Sequence, residues 1–317
     1  MGTLAWRILF PRIDAGPGGG EIKVRDYFDH CLAHPDTEPY LYPHAEPSAL
    51  WWEIWSGIPR DRVVSEIDLR EYDAVFIGGI NWKLLPDPLA VPVLNLIQGV
   101  RHADPAYPIL FRALKRFAHR ICVSRQVRDA IAPHANGPMV LVRNGIPLER
   151  CLPRAARAEG SVLILAHKRR EFGAALREAL ARRGIAAEVM VQWIPRLHLF
   201  ARFAATDVFV GLPHPQEGFY LPALEAMANG CAVVSADGVG NRDFCIPERT
   251  CLQPSHADLD GHVEAVARLL NDPALREGIR SAGIALAQGY ALEEERKVFH
   301  RFLDGFLRPI ERPDEAG

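Results

Sequence analysis

The sequence predicts an α/β fold of two doubly wound domains, each built on a parallel sheet. Three observations carry this prediction. Short apolar runs alternate with helical patterns through most of the 317 residues. The runs are almost continuously apolar, which marks strands buried on both faces. A charged, aperiodic stretch from Leu148 to Gly160 divides the runs into two series. Such alternation places helices on both faces of a parallel sheet.

The first series puts strands at Trp6–Phe10, Ala74–Gly78, Val91–Ile97, Arg120–Val123 and Met139–Val142. The second puts them at Ser161–Ala166, Ala187–Val191, Asp207–Gly211 and Cys231–Ala236. Between them, Leu114, Phe117, Ala118 and Ile121 recur at helical spacing, as do Val263, Val266, Leu269 and Leu270. The segment from Glu38 to Arg60 is rich in proline and aromatics and holds Trp51, Trp52 and Trp55. It reads either as a loop packed on the first domain or as an aromatic platform facing an acceptor. The domains are therefore expected at 1–147 and 161–306, joined by a linker at 148–160. The last helix is expected to be able to pack back on the first domain, and 307–317 forms a polar, frayed tail.

A hydrophobic content of 49% and a charged content of 24% suit a soluble globular protein. The net charge of −2 provides no global field for nucleic acid. No apolar run approaches a membrane span. The first residues run into a strand rather than a signal peptide, and Trp6 stands where a myristoylation signal needs a hydroxyl residue. The six cysteines form no CxxC pair and several sit in apolar runs. They read as buried thiols in a reducing compartment, with the cytoplasm as the expected location.

Four clusters carry chemistry. The first is Glu217-Gly-Phe-Tyr-Leu-Pro-Ala-Leu-Glu225, with two carboxylates separated by seven residues. Pro222 suits a first helical turn, so Leu221 to Ala228 is predicted as a short helix capped by Asn229-Gly230. Free helix N–H groups can take an anion while carboxylates accept from hydroxyls. The alternative reading of each Glu is a helix-cap carboxylate. The second cluster is Pro11-Arg-Ile-Asp-Ala-Gly-Pro-Gly-Gly-Gly20-Glu21, a glycine-rich loop after a strand. It lets backbone N–H groups approach a phosphate, or simply makes a turn. The third is His167-Lys168-Arg169-Arg170, at the end of a strand where open α/β sheets bind ligands. A solvated basic face is the alternative. The fourth is Ala236-Asp-Gly-Val-Gly-Asn-Arg-Asp243, a tight turn after another strand. A helix N-terminus supplies only about half a positive charge. A diphosphate carries about two negative charges, so nearby cations are required: Lys168 and Arg169 first, Arg170 next.

Together these features resemble the retaining GT-B glycosyltransferases, specifically glycosyltransferase family 4. The resemblance runs from Val140 to Leu303. Glu217 to Val234 resembles that family's E-x7-E segment, and Asn144-Gly145 its interdomain turn. Asp272-Pro-Ala-Leu-Arg276 with Ala282-Gly283 resembles its C-terminal helices, and Gly18-Gly19-Gly20-Glu21 its N-terminal glycine loop. The resemblance implies two Rossmann-like domains facing a central cleft. It implies that Glu225 holds the nucleotide ribose and that Glu217 faces the donor sugar. Backbone N–H groups of Tyr220 and Leu221 would meet the diphosphate, with Gly19 and Gly20 in the facing loop. The family often places a histidine after a first-domain strand; here Gln98 takes the nearest position and His102 lies four residues on. His102 otherwise reads as a lone surface histidine. The family's basic pair is replaced by the bunched Lys168–Arg170, followed by Phe172-Gly173.

The expected activity is transfer of a sugar from a nucleotide diphosphate donor to an acceptor hydroxyl, with retention of configuration. No cofactor or metal is called for beyond the donor itself if cations stabilise the leaving group. Asp258-Leu-Asp260 reads as a helix cap rather than a metal motif. The acceptor is a sugar, glycan, lipid-linked or small-molecule hydroxyl, with peripheral membrane contact if it is a lipid. Base contacts are expected near Trp193-Ile-Pro-Arg196. The alternative is a nucleotide-sugar-binding or scaffold protein of the same fold with impaired catalysis. A dinucleotide oxidoreductase is disfavoured, because no GxGxxG opens a helix.

Overall fold

In the computed structural model, residues 5–152 and 158–307 are described. The expected tail at 308–317 and the middle of the linker, 153–157, lie outside the described residues. Ten parallel strands form two sheets. The first sheet contains β1 (Trp6–Ile13), β2 (Thr37–His44), β3 (Ala74–Gly78), β4 (Val93–Ile97), β5 (His119–Cys122) and β6 (Met139–Leu141). Its spatial order is β2-β1-β3-β4-β5-β6. The second contains β7 (Val162–Leu165), β8 (Glu188–Met190), β9 (Val208–Gly211) and β10 (Ala232–Ser235), in the order β10-β9-β7-β8. Strands β3, β4, β7, β9 and β10 are buried at every residue, as their nearly continuous apolar character leads one to expect.

Helices of the first half are α1 (Gly19–Leu32), α2 (Ala49–Ile54), α3 (Pro108–Ala113) and α4 (Arg125–Ile131). Those of the second half are α5 (Arg170–Arg182), α6 (Arg196–Ala204), α7 (Leu221–Ala228), α8 (Leu259–Asn271), α9 (Pro273–Ala287) and α10 (Leu292–Phe306). Two departures from the sequence reading stand out. Strand β2 lies in the unassigned segment, where Pro39 and Pro43 interrupt the apolar pattern. Proline is tolerated there because β2 is an edge strand, paired to β1 over eight residues. The helical spacing at Leu114, Phe117, Ala118 and Ile121 does not make a helix. Helix α3 stops at Ala113, Ile121 lies in β5, and Phe117 is 61% exposed.

The tryptophan segment is core. Trp51 and Trp55 are fully buried, and Trp55 Nε1 donates to Glu21 Oε1 at 2.8 Å. Packing, rather than an acceptor platform, explains these two residues. Helix α10 returns to the first half of the chain: Phe299 packs edge-on against Tyr27, and Phe306 packs tilted against Trp6. Phe299 and Leu303 are fully buried, worth about 1.5–3 kcal/mol each by area. One apolar cluster therefore runs from Phe10 and Phe76 through Phe299 to Phe219 and Phe244 of the second half. This shared core sets the two sheets against each other across a cleft. At the crossing turn, a Cβ on Gly145 would lie 2.7 Å from the Ala291 carbonyl oxygen. Only glycine permits that approach.

Candidate active site

Both sheets reverse direction at a defined point. The chain leaves β1 to one side for β2 and then crosses to β3 on the other. It leaves β7 for β8 and then crosses to β9. Loops diverge at such points and open a crevice beyond the strand ends. The two crevices face each other and form one cleft of about 260 Å³. The first half of the chain contributes the glycine loop Pro17–Gly20, Lys23, Gln98, Arg101 and Asn144. The second contributes His167, Lys168, Trp193, Arg196, Glu217, Tyr220, Leu221 and Glu225, among others.

The loop after β9 is pinned to the first half by a bridge between Gly99 and Glu217. A Cβ on Gly218 would lie 2.3 Å from the Gln98 carbonyl oxygen, and one on Gly240 would lie 2.1 Å from the Gly218 carbonyl. Glycine next to Glu217 is thus required by the domain contact itself. Gly20 plays the same part opposite: its Cβ would come within 2.8 Å of Gln98 Oε1, while Gln98 Nε2 donates to the Gly20 carbonyl at 3.1 Å. Gly19 lies 3.4 Å, by the same construction, from Leu221 Cδ1. The glycine loop and the helix of the two-carboxylate motif therefore meet across the cleft.

Helix α7 spans Leu221 to Ala228, with Pro222 in its first turn and Gly230 at φ 77 beyond its end, as the sequence predicts. Glu217 precedes it and Glu225 is one turn inside, 4% exposed. Each carboxylate has a cation. Lys168 Nζ pairs with Glu217 Oε1, and Arg196 Nε donates to Glu225 Oε1 at 2.7 Å. Lys168 Nζ also lies 5.8 Å from the Tyr220 ring centre. Tyr220 is the N-terminal flanking residue of α7, with its ring buried and its hydroxyl unpartnered among the described residues. Burial pushes that hydroxyl well above the usual tyrosine range, so it stays protonated. The Leu221 N–H, expected to face an anion, donates to the Phe219 carbonyl at 3.2 Å.

Other expected residues fall elsewhere. Arg169 turns away: its Nη1 donates to the His256 carbonyl at 2.8 Å and its guanidinium stacks 4.0 Å from the Phe172 ring. Arg170 opens α5 and is exposed. Neither lines the cleft. His102 is not a surface residue. It is 6% exposed, behind the cleft wall, with Nδ1 at 2.9 Å from the Gly99 carbonyl. Burial pulls its pKa down to about 4 against the raising effect of that bond, so the ring is neutral at pH 7. His167 does line the cleft, and burial, then Lys168, likewise holds it down to about 4. Asp258 accepts from the Gly261 N–H at 2.9 Å as the cap of α8. Sequence reasoning missed Arg101, which follows the β4 loop and lines the cleft. It also missed Lys23 and Asp26, buried on the inner face of α1. Their i,i+3 spacing beside Val24 and Tyr27 was the available signal.

Comparisons with known proteins agree with this geometry. Residues 148–272 match the family described as Glycosyl transferases group 1. The chain is 29% identical to the lipopolysaccharide core biosynthesis mannosyltransferase LpsB of Rhizobium meliloti, over 55% of this chain. It spans only 50% of that relative's length. Among solved structures, HepE of Anabaena in complex with UDP and glucose superposes with a TM-score of 0.73. The match has 14% identity and covers 95% of this chain and 100% of that one. A sucrose-phosphate synthase from Thermosynechococcus elongatus superposes with a TM-score of 0.70 at 17% identity, covering 95% and 99%. The chain thus has the GT-B architecture of two Rossmann-like domains facing a cleft, and a glycosyl transferases group 1 domain within it.

Proposed function

We propose that the protein is a retaining glycosyltransferase of family 4 that moves a sugar from a nucleotide diphosphate donor to an acceptor hydroxyl. The observation that carries this reading is the convergence of Glu217, Glu225, Lys168, Gln98 and Gly19–Gly20 in one cleft at both switch points. Glu225 accepts from the ribose hydroxyls. Glu217 faces the sugar near the reacting carbon. Lys168 and Arg101 meet the diphosphate, aided by the glycine loop and the start of α7. Arg169 and Arg170, first expected in that part, act outside it.

In the reaction, the bond between the anomeric carbon and the diphosphate oxygen breaks, and a bond to the acceptor oxygen forms on the same face. The departing oxygen takes the acceptor proton. Stabilisation of that leaving charge by pre-placed cations and dipoles is electrostatic catalysis. Gln98, which already bridges to Gly20, holds the donor sugar in place of the histidine that the family resemblance implies. The reaction runs without a metal, so chelator leaves turnover unchanged. All six cysteines are free thiols, consistent with action in the reducing cytoplasm. Among the described residues no helix is long and apolar enough to cross a membrane. An acceptor on a lipid would therefore be met from the surface.

The decisive experiment offers a panel of UDP, GDP, ADP and dTDP sugars and follows hydrolysis and transfer. Turnover of one donor, retention in the product by NMR, and its loss in Glu217→Gln support the reading. A donor that binds without hydrolysis or transfer supports a binding or scaffold protein instead. One observation favours that rival: the buried His102 supplies no imidazole to the cleft.

A further inference from the structure

Arg196 stands in the first turn of α6, between two cavities. It lines the donor cleft and also a neighbouring cavity of about 550 Å³ between α1, α2, the linker and α6. Its Nε donates to Glu225 Oε1 at 2.7 Å, and its Nη1 lies 3.5 Å from Asp26 Oδ2 on α1. The guanidinium therefore ties the ribose-facing carboxylate of one domain to a buried carboxylate of the other. Its Nη2 is buried without a partner among the described residues. A planar fork of this kind fixes direction as well as charge.

The chain of charges continues to the crossing turn at Gly145. Asp26 accepts from Lys23 Nζ at 2.8 Å, and Lys23 donates to Glu295 of α10 at 2.6 Å. Glu295 also accepts from the Gly145 N–H at the interdomain turn and lies 3.1 Å from His30 Nε2. The charges alternate in sign from Glu225 to Glu295. Burial raises the Asp26 carboxyl, but Lys23 and Arg196 outweigh it and hold it below the usual range.

We propose that Arg196 is a positioning residue of the donor site. It holds Glu225 by one oxygen and leaves the other aimed at the ribose, so that recognition of the ribose depends on Asp26 across the cleft. The inference rests on the reading of Glu225 as the ribose acceptor. A free carboxylate can rotate both oxygens away from a hydroxyl pair; one held at Oε1 by a guanidinium that is itself anchored at Asp26 turns less freely.

The test is the preference for ribonucleotide over deoxyribonucleotide. Calorimetry measures UDP and GDP against their 2′-deoxy forms in wild type, Glu225→Gln, Arg196→Met, Arg196→Lys and Asp26→Asn. Wild type is expected to prefer the ribose form of its cognate nucleotide by about ten-fold, the loss of one charge-assisted hydrogen bond. Glu225→Gln and Arg196→Met both erase that preference. Arg196→Lys keeps the charge but not the fork and loses most of it. Asp26→Asn lowers it several-fold. If Arg196→Met proves unfolded, Arg196→Lys decides. A full wild-type preference in a folded Arg196 variant, with equal weakening of both nucleotide forms, overturns the positioning role and leaves a structural one. No preference in wild type, or a preference that survives Glu225→Gln, overturns the ribose reading itself.

Discussion

The two carboxylates of one motif meet two cations in this cleft, and they do so in different surroundings. Arg196 and Glu225 have side chains only 14% and 5% exposed. Lys168 and Glu217 are 37% and 14% exposed. The first pair is also hydrogen-bonded within a network that reaches Gly145; the second sits at the open mouth. Breaking a buried pair strands a desolvated charge, whereas an exposed pair exchanges its partner for water at little cost. On the proposed function, the difference separates two jobs: the pair assigned to the ribose is built into the fold, and the lysine assigned to the diphosphate is left free to change partner.

The comparison breaks most visibly at Arg196. Arg196→Met should lower unfolding free energy by about 3–5 kcal/mol, as removal of one partner of a buried pair does. Adding Glu225→Gln should restore a large part of the loss, since the stranded charge is then gone. Urea unfolding of both variants checks this; a single-variant loss near zero would end the contrast between the pairs.

A smaller effect comes from acid. His102 has a folded pKa of about 4 against an ordinary value of 6.5. Between those values the unfolded chain binds the extra proton, so stability falls as pH falls through that window. The loss from His102 alone is on the order of 3 kcal/mol. His102→Gln should reduce the pH dependence of urea midpoints from 6.5 to 4, leaving the part that His167 supplies. An unchanged slope would show that the ring does not feel its burial.

Nucleotide binding sharpens the contrast further. Glu225→Ala should weaken binding of the cognate nucleoside diphosphate about ten-fold or more, from roughly 1.5–3 kcal/mol of charged hydrogen bonding. Calorimetry that finds wild-type affinity removes Glu225 from the ribose. The smallest expected stability effect is at the cleft mouth. Lys168→Met should change stability by less than about 1 kcal/mol while slowing turnover more than it weakens nucleoside binding. A large loss of stability with intact turnover would exchange the roles assigned to the two pairs.

Much of the fold was readable from the chain because buried strands write themselves as largely apolar runs. Nine of the ten strands among the described residues coincide with such runs, and helix α7 has the ends that Pro222 and Asn229-Gly230 announce. Strand β2 was not readable, since two prolines disguise an edge strand whose pairing is supplied wholly by β1. The false helix around Phe117 came from a spacing that the β5 ladder overrode. In the site, the carboxylates and Lys168 were legible from their spacing and their place after a strand. Arg169 and Arg170 were grouped with Lys168 on the same evidence. Adjacent side chains at a strand end point in different directions, and only coordinates separate them.

By itself, the order of residues determined two parallel sheets, a helix opening behind Glu217 and glycines where backbones had to approach. These are local consequences of periodicity, sterics and turn chemistry. Tertiary structure alone decided that Arg196, Asp26, Lys23 and Glu295 share one buried charge chain, that His102 lies behind the wall, and that Trp51 and Trp55 belong to the core. The reason is distance along the chain. Lys23 and Glu295 are 272 residues apart in sequence, and no local pattern records that a desolvated charge has found its partner.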